Sequence, residues 1–212
     1  MQEKYLKLYS FFPKLFLSAL FADAINSDSV QQSDVFTPLR DFEVVSELRK
    51  EYQKWVKSLT AKEKRAIRKY TKNSFETGFN KFYQRLNAML RGEIPEDKTL
   101  RRYANLISYA LKKKPLEHDI ICYRTISFNP FIGLKAGDMF DGKQFFSTTV
   151  VSSRTMKGSF HMVIRASKGT NGAYIESLSR VKKQREFLFD KDCKYRILSI
   201  EKDTLVLEAL NG

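Results

Sequence analysis

The sequence predicts an α+β fold in which about four helices lead into a mostly antiparallel β core, and three observations predict it. Apolar residues recur at three- and four-residue spacing from Asp41 to Lys114. After Pro115 the pattern changes to short apolar runs broken by Gly, Asn and Asp. No segment of helix length separates those runs, so most of them must pair antiparallel.

The first helix carries the stripe Phe42, Val45, Leu48, Tyr52, Trp55 and Val56. Thr60-Ala-Lys-Glu63 then reads as a capping box, because the Thr hydroxyl and the Glu carboxylate can satisfy free N–H groups at a helix start. The helix it opens runs through Ala66, Ile67 and Tyr70. A third helix holds Phe79, Phe82, Tyr83, Leu86 and Leu90 and stops at Gly92, and a fourth spans Lys98–Lys112 with Leu100, Tyr103, Ile107 and Leu111 inward. About seven strands follow, over 120–126, 145–150, 160–166, 173–176, 186–190, 195–200 and 204–210.

With 212 residues, 42% of them hydrophobic, and only 9 Gly and 5 Pro, the chain is neither disordered nor a low-complexity array. No run of about 18 uncharged apolar residues exists, so a membrane-spanning helix is excluded. At the N-terminus, Lys4, Lys7 and Lys14 precede the short apolar run 15–21, and Ala22-Asp23-Ala24 imitates a secretory cleavage site. Pro13-Lys14 interrupts that pattern, so residues 1–40 are read as an apolar segment packed on the domain, followed by a linker, with the domain itself at 41–212.

The formal net charge is +14, and its location is informative: residues 49–114 carry 19 of the 38 Lys and Arg but 6 of the 24 acidic residues. A solvated helical face, an acidic protein partner and nucleic acid all fit such a surface. Zinc would require Cys122, Cys193, His118 and His161 to converge, so no metal site is expected, and the thiols read as buried and inert.

Three strand segments have unusual polar content: Cys122-Tyr-Arg-Thr125, Phe145-Phe-Ser-Thr-Thr149 and Lys183-Gln-Arg-Glu-Phe-Leu-Phe189. Strand alternation places Ser147 with Thr149, and Gln184 with Glu186, on shared faces. The apolar residues after Glu186 set its carboxylate at the mouth of the core.

In order, Arg on a first strand, Ser-Thr-Thr on a second and Gln-x-Glu on a later one resemble the Arg/Ser-Thr-Ser/Glu mono-ADP-ribosyltransferases. The Gln-x-Glu form is similar to the clostridial Rho-modifying exoenzymes, within a superfamily that includes phage and toxin transferases. The stretch 59–71 with its Tyr70-Thr71, the element Asn87-Ala-Met-Leu-Arg-Gly92 and the strand Gly172-Ala-Tyr-Ile175 extend the resemblance over about residues 45–210.

The resemblance implies a two-sheet β core, NAD as substrate, no metal, and transfer of ADP-ribose to an Asn or Arg side chain of a target protein with release of nicotinamide. Glu186 would stabilise the oxocarbenium-like ribose, as carboxylates do in glycoside hydrolysis. Ser147 would orient Glu186, and Gln184 would receive the acceptor. Arg124 and Arg91 would hold the pyrophosphate, with Asn87, Tyr70, Thr148 and Thr125 contributing to the remaining NAD contacts. The chain departs from the pattern in having Thr125 and Thr149 where Gly and Ser are usual, and only Arg154, Met156 and Lys157 in the 151–159 loop. The 177–183 loop also lacks the aromatic that accompanies Rho targets. An NAD glycohydrolase and a non-catalytic nucleic-acid-binding module are the competing readings. The expected molecule is a monomer with an acidic target, either a secreted or injected effector or a phage product acting inside the infected cell.

Overall fold

A computed structural model describes residues 35–212 apart from 41, 73–74, 78–79, 128–131 and 156–157. The N-terminal segment expected over residues 1–34 therefore lies outside the described residues, as do Phe79, Met156 and Lys157. A compact unit begins at Phe36. Residues read as linker are tied into it: Thr37 and Leu39 donate their N–H groups to the Asp119 carboxylate and carbonyl, at 2.7 and 2.9 Å.

The helices are α1 (Val44–Ser58), α2 (Ala61–Tyr70), α3 (Phe82–Leu90) and α4 (Lys98–Lys112). Helix α1 begins after Phe42, which is 74% exposed, so its buried stripe is Val44, Leu48, Tyr52 and Trp55. The capping box of α2 forms: Thr60 N–H donates to Glu63 Oε2 at 2.7 Å, and Glu63 N–H to Thr60 Oγ1 at 3.3 Å. Helix α3 starts at Phe82 because a short hairpin, β1 (Phe75–Thr77) with β2 (Asn80–Lys81), precedes it. Its end is a Schellman turn, with Gly92 N–H on Met89 O, Glu93 N–H on Ala88 O, and Gly92 at φ 77°, where a β-carbon would be strained. Asp97 caps α4 by accepting from the N–H groups of Thr99 and Leu100.

The remaining strands are β3 (Ile120–Ile126), β4 (Met139–Asp141), β5 (Phe146–Thr149), β6 (Phe160–Ala166), β7 (Gly172–Tyr174), β8 (Glu186–Phe189), β9 (Lys194–Glu201) and β10 (Thr204–Leu210). They form one mixed sheet in the order β4-β9-β10-β6-β3-β5-β8-β7. This corrects the expectation of two sheets, whereas the pairing is mostly antiparallel as expected, with one exception among the described strands. Strand β10 pairs parallel to β6, because the long connection between them, which contains β7, β8 and β9, serves as the crossover that a helix usually supplies. The sheet is also continuous, but β3 and β5 meet at the single pair Tyr123↔Thr149, whereas β3 pairs β6 along its whole length and β5 pairs β8 along its whole length. A five-strand and a three-strand block are thus joined by one narrow seam.

The buried apolar cluster runs from the helices through the three-strand block into the five-strand block, where Ile120, Ile164, Ile197 and Leu207 belong to it. Helices α1 and α4 both pack on β7. Tyr52 on α1 donates its hydroxyl to Gly172 O at 3.2 Å and sets its ring edge-on to Phe187 on β8. Trp55 donates Nε1–H to Ala110 O at 2.8 Å, which locks α1 to α4 inside the apolar layer.

Candidate active site

Arg124, Ser147 and Glu186 stand on β3, β5 and β8, which are neighbours in the sheet. The register pairs Thr149 with Glu186, so Ser147, two residues along, lies on the same face as the carboxylate. Ser147 Oγ–H donates to Glu186 Oε1 at 2.6 Å. Arg124 Nη1 donates to Ser147 O at 2.6 Å across the seam, and its guanidinium stacks on the Phe146 ring at 4.5 Å.

The environment of Glu186 sets opposed demands on its proton. Burial raises its pKa above the ordinary value, against the lowering effects of the Ser147 and Ser179 hydrogen bonds and the Arg124 charge. Burial likewise pulls Arg124 below its ordinary value, yet a guanidinium stays cationic.

Ser179, in the loop before β8, is a residue that sequence reading missed. Its hydroxyl donates to Glu186 Oε2 at 3.3 Å and accepts from Val181 N–H at 3.1 Å. Both carboxylate oxygens are therefore held by serines from different elements. No motif marks Ser179, and the only usable signal is a buried hydroxyl within a basic loop.

Gln184 departs from its expected place. It ends a single 3-10 turn, Lys182–Gln184, and Arg185 follows at φ 50°, ψ 51° in the left-handed region. Strand alternation with Glu186 therefore does not apply to Gln184, which is half-buried at the rim.

The helical side contributes support more than exposed contacts. Tyr70 is buried, and its hydroxyl donates to Phe145 O at 3.4 Å. Asn87 Nδ2 donates to both Tyr70 Oη (3.1 Å) and Phe145 O (3.3 Å). These bonds fix the backbone at the start of β5. Burial raises the Tyr70 phenol further, so it remains neutral. Thr148 Oγ–H donates to Phe187 O at 2.8 Å, so it ties β5 to β8 on the face opposite Ser147. Thr125 is buried next to Arg124, with its hydroxyl unpartnered.

Arg91, at the C-cap of α3, forks onto Glu93 with two bonds of 2.6 Å and also reaches Gln144 Oε1. Gln144 and Ser147 thus bring Arg91 and Arg124 to the same short stretch around the start of β5. Arg154 is exposed on a separate 3-10 turn, Ser152–Arg154. Both cysteines are buried, and desolvation pushes each thiol up to about 12, where it is unreactive.

Besides Thr125 Oγ1, two buried atoms of the expected site residues lack partners: Arg124 Nε, a donor, and Asn87 Oδ1, an acceptor. Unpaired buried polar atoms are costly unless a ligand completes them. A dinucleotide offers phosphate oxygens to the first and hydroxyl or amide hydrogens to the second, so the residues present fit it.

The profile of the ADP-ribosyltransferase exoenzyme family matches residues 48–210. The chain is 30% identical over 191 residues to the NAD(+)–arginine ADP-ribosyltransferase EFV of Enterococcus faecalis, covering 84% of this chain and 37% of that protein. It thus spans little more than a third of that relative's length. Among solved structures it is similar to Plx2a, an ADP-ribosyltransferase toxin from Paenibacillus larvae, with TM-score 0.69 and 23% identity over 82% of this chain and 98% of that one. It is also similar to the Clostridium limosum C3 exoenzyme, with TM-score 0.67 and 20% identity over 84% of this chain and 98% of the other. Likeness at these identities concerns the fold, and it extends the match made by the family profile over most of the chain. On that match, and on the Arg124, Ser147 and Glu186 arrangement it encloses, the chain belongs to the ADP-ribosyltransferase exoenzyme family.

Proposed function

We propose that the chain is an NAD-dependent mono-ADP-ribosyltransferase that modifies an Arg or Asn side chain of a protein. The observation that carries this reading is the buried Glu186 carboxylate, held at 2.6 Å by Ser147 beside the Arg124 guanidinium. Breaking the bond from nicotinamide to ribose leaves positive character on the sugar, and nicotinamide departs neutral with the bonding pair. A fixed carboxylate in a low-dielectric site stabilises that charge without reorganising. Arg124 and Arg91 hold the pyrophosphate, and Gln184 at the rim meets the acceptor, whose nitrogen forms the new bond to ribose and loses a proton.

Two observations bear on the acceptor. The Enterococcus faecalis relative is named for arginine, whereas the Gln184 amide pairs donor and acceptor with another amide, as in asparagine. The test is incubation of the chain with adenylate-labelled NAD and total soluble protein from a cell lysate, followed by mass-spectrometric mapping of the modified residue. Nicotinamide release together with labelled Arg or Asn supports the reading, and absence of nicotinamide release defeats it.

Arg91 provides a check on NAD anchoring. Arg91→Ala should raise KM for NAD by about tenfold and leave kcat within about twofold, because a phosphate contact is equally present in ground and transition states. Steady-state kinetics with a fixed acceptor would show this, and a fall confined to kcat would remove Arg91 from binding.

The basic face supports a target with an acidic surface. Lys62, Arg65 and Arg68 are exposed along α2. Lys69, although in the same run, lies over the Phe82 and Tyr103 rings at 4.5 and 5.0 Å and so belongs to packing. Transfer to the target should fall steeply between low and physiological salt while NAD hydrolysis changes little, since screening acts on macromolecular encounter. Reversing Lys62, Arg65 and Arg68 together should remove most of that salt dependence. Equal salt dependence of both rates would make the face an ordinary solvated surface.

A further inference from the structure

The loop bearing Gln184 is anchored by a carboxylate outside the three catalytic strand motifs. Glu176 follows β7, is 8% exposed, and has each oxygen shared between two donors. Arg49 on α1 gives Nε to Oε2 at 2.8 Å and Nη2 to Oε1 at 2.9 Å. Tyr174 donates its hydroxyl to Oε2 at 2.9 Å, and the Arg185 guanidinium pairs with Oε1. Arg185 is the middle residue of Gln-x-Glu.

Arg185 is also one of three non-glycine residues at positive φ among those described. The other two, Lys143 and Lys202, are exposed on turns. An L-residue with a full side chain takes the left-handed conformation only when its surroundings impose it. Here the surroundings are explicit. Arg185 N–H donates to Lys182 O at 3.2 Å, its carbonyl accepts from Val150 N–H at 3.1 Å, and its side chain is drawn back onto Glu176. The left-handed step separates Gln184 from the regular alternation of β8, so the direction in which Gln184 leaves the loop depends on Arg185 keeping this conformation.

We propose that Glu176, clamped by Arg49, is the positioning residue of the acceptor loop: by holding Arg185 left-handed it fixes Gln184 relative to Glu186 and so sets how often the ribosyl cation is captured by a protein side chain rather than by water. This rests on the transferase reading above. The physical reason for the partition is that a ribosyl cation is captured by whichever nucleophile is already aligned, and misplacement of an acceptor by about 1 Å can cost about 10²-fold. Water needs no such alignment, so loosening the clamp lowers transfer and spares hydrolysis.

The experiment measures labelled protein per nicotinamide released, using biotinylated NAD with total soluble lysate protein as acceptor. Glu176→Gln keeps size and loses charge; it should lower that ratio about 10- to 100-fold while nicotinamide release stays within about threefold. Arg185→Ala removes the ion pair and keeps the bias of an L-residue against the left-handed conformation, so it should also lose the ratio. Arg185→Lys, which retains a cation for Glu176, should recover most of it, and Arg49→Ala, on another element, should follow Glu176→Gln. If Glu176→Gln fails to fold, the Arg185 and Arg49 variants carry the same test. A wild-type chain that labels protein while these variants keep its ratio overturns the positioning role alone, as does parallel loss of both activities or a Lys variant no better than Ala. A wild-type chain that releases no nicotinamide, or labels no protein, overturns the transferase reading instead.

Discussion

Replacing Glu186 by Gln should lower the rate of nicotinamide release by roughly 10²–10⁴-fold and, at neutral pH, raise the melting temperature. The two effects share one cause. Burial raises the Glu186 pKa in the folded chain above its unfolded value. The folded state then holds this proton more readily than the unfolded state does. Its stabilising effect is complete below the unfolded pKa and is lost as pH rises through the folded pKa. Glutamine carries no charge at any pH, so the variant escapes that loss, and its advantage over the native chain should vanish in acid. Activity has the opposite sign: only the carboxylate stabilises a cationic ribose, so the native rate should rise with pH along an acid limb displaced above the ordinary carboxylate range. Thermal melts and pH–rate profiles of both proteins measure this. A variant with near-native turnover would remove Glu186 from the chemistry, and one that melts lower at neutral pH would contradict the burial argument.

Gln184→Ala should reduce protein labelling by about 10²-fold and leave slow NAD hydrolysis measurable. In the proposed mechanism bond cleavage depends on groups held from β3, β5 and β8, whereas Gln184 stands outside the strand on a 3-10 turn. Removing its amide takes away the donor and acceptor that orient the incoming nitrogen and touches neither Ser147 nor Ser179. Parallel measurement of nicotinamide release and label transfer separates the two steps. Equal loss of both would show that Gln184 acts on bond cleavage itself.

Much of this architecture is legible in the sequence. Strands 120–126, 160–166 and 204–210 and the helix Lys98–Lys112 fall at their expected limits, because each is bounded by turn or cap chemistry that leaves a clear mark. The capping box at Thr60 is the plainest case. What escaped had no local signal. Strand β4 is a three-residue edge strand, too short for periodicity, and its pairing with β9 is a long-range fact. The parallel β6–β10 contact was invisible because its crossover is made of strands. At the site, the order of Arg124, Ser147 and Glu186 was legible because it resembles the family's ordered motifs, while strand alternation added only which side chains share a face. The position of Gln184 was not, since Arg, unlike Gly or Asn, gives no hint that residue 185 turns left-handed. Tyr70 is expected at the dinucleotide from the resemblance alone, and packing adds that its hydroxyl bonds the Phe145 backbone.

The single pair between β3 and β5 gives the molecule a mechanical joint at its chemical centre. Arg124 rides on one rigid block, and Ser147 with Glu186 rides on the other, so their spacing is an alignment between two bodies and not a property of either. In the proposed mechanism a dinucleotide that grips both sides acts as a splice plate across this joint. The 2.6 Å bond from Arg124 Nη1 to Ser147 O is the pin of that joint, and it holds the two blocks in the alignment that a fixed Glu186 carboxylate requires.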